Sequence, residues 1–129
     1  MKIYKFFRFT IEGDELDPII LRDAVNLPCD VFIKGETVVS ENLHIKHFQK
    51  TNRWLYRAEL LGKTSVSNFL TKHLKAIHND LPKLKEYIEK NDAYMELVLY
   101  AEDKTDINLN PKQIKLLSEI GVEFLISFC

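Results

Sequence analysis

Apolar and polar residues alternate along residues 3–11, where Ile3, Phe7, Phe9 and Ile11 share one face and Lys5 alone interrupts it. That period of two predicts a strand with one face on a core. The acidic run Glu12-Gly13-Asp14-Glu15 follows. Asp17-Pro18 then reads as a helix N-cap and first helical residue, a position where proline's missing N–H costs nothing. The helix predicted over residues 18–26 turns Leu21, Ala24 and Val25 to one side and stops before Pro28. A short second strand is predicted over residues 29–33, ended by Lys34-Gly35.

Residues 36–42 are polar and give a weak pattern. Residues 43–49 and 54–60 are expected to pair as a hairpin around Lys50-Thr51-Asn52-Arg53, with Trp54, Tyr56, Ala58 and Leu60 on one face. After the break at Gly62-Lys63-Thr64, Ser65 caps a helix whose Val66, Phe69, Leu70, His73, Leu74 and Ile77 recur at spacings of three and four. Asp80-Leu81-Pro82 interrupts it, and Leu84, Tyr87 and Ile88 continue as a shorter helix ending at Asn91-Asp92. Residues 93–100 predict a strand with Met95, Leu97 and Leu99 on one face and Tyr94, Val98 and Tyr100 on the other. A second acidic loop, Glu102-Asp103-Lys104-Thr105-Asp106, leads through Asn110-Pro111 into a helix whose Ile114, Leu117 and Ile120 are expected to face the sheet. Gly121 ends that helix, and Val122, Phe124, Ile126 and Phe128 alternate as a last strand.

The first and last of these segments share a register. Pro18 precedes Val31 by the same interval as Pro111 precedes Phe124, and Leu21 falls on Ile114, Ala24 on Leu117, Leu27 on Ile120 and Ile33 on Ile126. The expected architecture is α+β: an antiparallel or mixed sheet of about five to six strands with helices mainly on one face, containing two βαβ-like halves. A chain of 129 residues, 46% of them hydrophobic, suits a single domain spanning residues 1–129.

Charge adds little to this picture. Eighteen Lys and Arg against nineteen Asp and Glu leave a net charge of −1, which argues against nucleic acid or an anionic membrane as the partner. No stretch has the length and apolarity of a membrane span or the core of a signal peptide, so a cytoplasmic protein is expected. Cys29 and Cys129 then read as free thiols.

Several residues together resemble a bacterial family known only as domain of unknown function 4279. They are the aromatic first strand ending Phe9-Thr10-Ile11-Glu12-Gly13-Asp14, the Pro18 helix, Leu27-Pro28 before a strand ending Lys34-Gly35, and the lone Trp54. The helices broken at Leu81-Pro82 and the last strand with Phe128 complete the likeness. It covers nearly the whole chain, and it implies a fold and a bacterial origin but no activity and no catalytic residues.

The residues themselves hold no catalytic signature, and no catalytic residue, cofactor or metal is assigned. His44 and His47 fall on opposite faces of a strand, and His73 and His78 diverge around a helix, so neither pair has ligand spacing. His73 reads as a packed residue with a satisfied ring nitrogen. No nucleophile elbow exists, and four glycines at Gly13, Gly35, Gly62 and Gly121 cannot form a phosphate-cradling loop. Lys46, Lys50, Arg53 and Arg57 lie among Phe48, Trp54 and Tyr56, a pattern that holds phosphates and bases in other proteins; a core role for Trp54 is the simpler account.

Two features remain as candidate partner sites. Asp14 and Glu15 before the first helix, with Glu102, Asp103 and Asp106 before the last, would form one acidic rim if the two loops emerged together; carboxylates there also complement helix dipoles. Tyr4 and Phe6 with Tyr94 and Tyr100 would lie on the sheet face opposite the helices, covered by the 43–60 hairpin, a homodimer partner, a protein ligand or a small molecule. The expected function is non-catalytic recognition of another protein, an immunity-like role being one form of it. The alternative is a small-molecule-binding domain or modest enzyme with a pocket near Trp54.

Overall fold

The computed structural model describes residues 5–40, 45–62, 64–100, 102 and 107–129, and of residues 38–40 and 45–47 the backbone alone. In chain order the elements are β1 (Phe6–Gly13), α1 (Pro18–Ala24), β2 (Asp30–Phe32), β3 (Thr37–Ser40), β4 (Ile45–Phe48), β5 (Asn52–Glu59), α2 (Val66–Asn79), α3 (Leu81–Lys90), β6 (Asp92–Leu99), α4 (Pro111–Ile120) and β7 (Glu123–Phe128).

Five strands form an open sheet in the order β2-β5-β1-β6-β7. β1 lies at the centre, antiparallel to β5 and β6; β2 is antiparallel to β5, and β7 is parallel to β6. Because β1 and β2 both oppose β5, they run parallel to each other. The β1-α1-β2 crossover therefore spans an intervening strand, whereas β6-α4-β7 joins neighbours. The sheet is mixed and the fold is α+β.

The alternation in β1 determines which face is buried. Phe7 sits between Ala58 and Leu97, Phe9 between Tyr56 and Met95, and Ile11 between Trp54 and Ala93. Phe7, Phe9, Ile11, Trp54, Met95 and Leu97 are wholly buried, and Trp54 meets the Phe9 ring edge-on at 5.5 Å between centroids. The helices cover this face with Leu21, Leu70, Leu74, Ile77, Leu84 and Ile120. Each such side chain contributes about 1.5–3 kcal/mol by leaving water.

Local signals set the helix ends. Asp17 Oδ1 accepts hydrogen bonds from the backbone N–H groups of Ile19 and Ile20 at 3.1 and 3.2 Å. Ser65 Oγ does the same for Asn68 at the start of α2. The apolar stripe of α2 faces inward as its spacing predicts, with Phe69, Leu70, His73, Leu74 and Ile77 buried. Pro82 falls in the first turn of α3, where it is tolerated. Asp80, buried between α2 and α3, accepts the Asn26 backbone N–H at 2.7 Å and so ties the α1–β2 link to the helix junction.

Three expectations differ from the structure. The 43–60 hairpin does not form: β5 pairs with β1 and β2, and β4 pairs with β3 inside the polar stretch where no strand was expected. A β4–β5 hairpin alone would leave Trp54 and Tyr56 without a core, while β5 beside β1 buries both. Residues 43 and 44 of that hairpin lie outside the described residues. Second, α4 is rotated relative to its apolar pattern. Gln113, Leu116 and Ile120 are buried, and Ile114 is 53% exposed. Gln113 is wholly buried because its amide is fully used: Nε2 donates towards Ser67 O, Ser67 Oγ and Thr71 Oγ1 at 3.0–3.1 Å, and Oε1 accepts from Asn110 N at 3.0 Å. Third, the alignment of Leu21 with Ile114 does not carry into packing, since Leu21 is wholly buried.

Candidate functional site

The β1–α1 loop begins at Gly13, whose carbonyl accepts from Leu16 N at 3.3 Å and draws Leu16 into the core. Capping accounts for Asp17 only. Glu12 pairs with Arg53 at 2.9 Å and Asp14 with Lys34 at 3.4 Å. Glu15 is exposed, and among the described residues it has no ion pair.

The antiparallel pairing of β1 with β6 determines what faces this loop. Glu12 lies opposite Asp92 at the start of β6, so the neighbour of the loop is the α3–β6 turn. The two approach closely at Gly13, where a Cβ would sit 2.4 Å from Asn91 Oδ1. Asn91 is held there by Nδ2, which donates to Tyr87 O at 3.0 Å. Between loop and turn runs a cleft of about 390 Å³ lined by Glu12, Asp14, Glu15, Glu89, Lys90 and Asp92, and Leu16, Glu86 and Tyr87 extend it along α3. Lys90 supplies a cation to it, but its ammonium is engaged by Glu86 at 2.7 Å. That contact holds the Glu86 carboxyl below its usual range and raises Lys90.

The same topology separates the two acidic loops. β6 ends beside the start of β1, Val98 opposite Phe6, so the segment carrying Glu102 leaves the opposite end of the sheet from Asp14 and Glu15. Glu102 is exposed, and Asp103 and Asp106 lie outside the described residues. The single acidic rim expected from the sequence is not formed by these loops. The carboxylates that join Asp14 and Glu15 are Glu86, Glu89 and Asp92, which pattern reading passed over because nothing local reveals which strand lies beside β1.

The sheet face away from the helices is more polar than its aromatics implied. The Arg57 guanidinium lies over the Phe6 ring at 4.4 Å, and Lys5 lies over Tyr100 at 5.3 Å. Arg8 pairs with Glu96 at 2.6 Å, and Ser127 donates to the same carboxylate at 2.7 Å. Tyr94 is half-buried and Val98 buried; Tyr4 lies outside the described residues. Charged side chains thus interleave with the rings.

Trp54 lines none of the clefts described here. Its Nε1 lacks a hydrogen-bond partner, although it lies near enough to the Cys29 thiol to oppose slightly the rise in thiol pKa that burial causes. Beside it, Tyr56 OH and His73 Nδ1 meet at 2.5 Å, and the His73 ring stacks on Phe7. Burial lowers the His73 pKa, with Lys72 adding to the effect, and burial raises that of Tyr56. The pair is therefore neutral and mutually satisfied in the core. His78 contacts Glu119 across α2 and α4. Among the described residues no three His, Cys, Asp or Glu side chains converge on a metal position, and no helix is long and apolar enough to cross a membrane.

Against this geometry, the family model described as Domain of unknown function (DUF4279) matches residues 2–128. The chain belongs to that family. No curated protein and no solved structure matches the chain. The family assignment supplies no activity for the DUF4279 domain.

Proposed function

We propose that this DUF4279 domain is a non-catalytic recognition domain of the bacterial cytoplasm, and that its protein partner presents lysine or arginine side chains to the acidic cleft between the β1–α1 loop and the α3–β6 turn. The observation that carries this reading is the convergence of Asp14, Glu15, Glu86, Glu89 and Asp92 from two separate chain segments around one concave surface. Glu15, Glu89 and Asp92 form no ion pair among the described residues, so their charge is available to a partner. Helix capping accounts for Asp17, and ion pairs to Arg53, Lys34 and Lys90 engage Glu12, Asp14 and Glu86, which leaves Glu15, Glu89 and Asp92 as the carboxylates a cationic ligand would meet. Neutralisation of a basic toxin is one specific form such recognition would take.

The test compares the wild type with Glu15→Lys and Glu89→Lys in binding to a lysine-rich peptide and in capture of partners from the native cytoplasm, at low and moderate salt. Both substitutions are at exposed positions, so folding by circular dichroism should be unchanged. Loss of peptide binding and of the same captured band supports the cleft. Undiminished capture by both variants removes it as the docking surface.

A further inference from the structure

The two edges of the sheet are built differently. β2, at one edge, is three residues long and is flanked by Pro28 and Lys34, features that discourage further strand pairing. β7, at the other, is six residues long, contains neither proline nor lysine, and carries its single charge at its first position, Glu123. Among the described residues no strand pairs with its outer side. Leu125, at its middle, is 43% exposed on the face away from the helices, and Phe124 and Ile126 are only partly buried on the other.

The helix above this edge repeats the feature. Glu119 of α4 contacts His78 of α2, and Lys112 is close enough to Lys75 for the two ammonium groups to repel each other, so this flank of α4 faces α2 and the middle of the sheet. Ile114 is about 200° round the helix from Lys112 and hence on the flank turned away from α2, above the β7 edge. At 53% exposed it is the largest apolar side chain α4 leaves in solvent.

We infer that a second copy of this chain occupies the β7 edge, the two β7 strands pairing antiparallel about a two-fold axis at Leu125 to give a continuous ten-stranded sheet. The strand is self-complementary in that register. Leu125 meets its own copy, Phe124 meets Ile126, and Glu123 meets Ser127, so no like charges stand opposite. The pairing satisfies the outward N–H and C=O groups of Phe124 and Ile126 in both strands, and the two Ile114 side chains approach over the seam. The inference is independent of the acidic cleft, which lies at β1 and β6.

The contact is one strand pair with a single exposed apolar side chain of α4 above it, so a weak, concentration-dependent dimer is expected. Sedimentation equilibrium of the wild type should give a dimer that Leu125→Lys, or separately Ile114→Lys, returns to a monomer with unchanged circular dichroism. Two lysines would face each other at the axis in the first variant. Oxidative cross-linking locates the axis. In a Cys129→Ser background, Leu125→Cys should form an intermolecular disulfide, since residues on the axis are about 5 Å apart, whereas Glu123→Cys should not, because its two copies lie about 14 Å apart. A wild type that stays monomeric to roughly 1 mM, a dimer that survives both lysine variants, or equal cross-linking at positions 123 and 125 would overturn the inference.

Discussion

The orientation of α4 can be tested by replacing Gln113 with leucine. The substitution keeps the approximate volume of a wholly buried side chain and removes its hydrogen-bonding groups. Nε2 has two hydrogens, so its three acceptors on α2 represent about two hydrogen bonds, and Oε1 supplies a third by closing the capping box with Asn110 N. Each contributes about 1 kcal/mol net, offset in part by the better transfer of leucine to the interior. The Asn110 N–H and the Thr71 hydroxyl are then left with poorer access to partners, which adds roughly another 1 kcal/mol. The expected loss is about 2–4 kcal/mol, lowering Tm by on the order of 10 °C for a domain of this size. Equilibrium urea denaturation measures it directly, and Ile114→Ser provides the contrast: at an exposed site it should cost less than about 1 kcal/mol in dilute, monomeric protein. Apolar spacing alone ranks the two positions in the opposite order. If Ile114→Ser proves the more damaging, α4 is rotated from the orientation described and the Gln113 network does not exist.

Two further outcomes follow from buried polar contacts. His73 is neutral when folded because burial lowers its pKa below the ordinary value of 6.5, whereas the unfolded chain takes up a proton near that value. The unfolded state therefore binds more protons as pH falls through about 6.5, and stability should drop there. Urea midpoints for the wild type and His73→Gln between roughly pH 5 and 7.5 should diverge towards neutrality, and parallel curves would remove His73 as the source. Gly13→Ala should destabilise by about 1 kcal/mol or more, because the new Cβ displaces Asn91 Oδ1 and costs the bond to Tyr87 O. A double-mutant cycle with Asn91→Ala checks this: the penalty at Gly13 should shrink once the amide is gone, and simple additivity would show that the close approach is not its cause.

What the sequence revealed divides along local and non-local lines. The period of two in β1, β6 and β7 and the period near four in α2 identified their buried faces, because a side chain's direction follows from its own backbone. Caps at Asp17 and Ser65 were legible for the same reason. Strand partners were not: β5 looked like the second arm of a hairpin with its neighbour in sequence, and only the need to bury Trp54 and Tyr56 sends it to β1. The α4 face was misread because Gln113 counts as polar until α2 supplies acceptors for its amide. The acidic site was half legible. Asp14 and Glu15 stood out as a run, but the carboxylates that accompany them lie after α3, and the loop expected beside them leaves the far end of the sheet.

The central position of β1 bears on the order in which the molecule can assemble. Its neighbours are residues 52–59 and 92–99, both made later than β1 itself. During synthesis Phe7, Phe9 and Ile11 therefore emerge as an adhesive strand with two unsatisfied edges; β5 can cover one as it appears, and the other stays open until α3 and β6 have left the ribosome. The β6-α4-β7 unit closes over neighbouring segments and needs no such wait. A nascent chain halted before residue 92 would offer chaperones and proteases its most apolar strand, so the step that commits this domain to its fold falls late in translation.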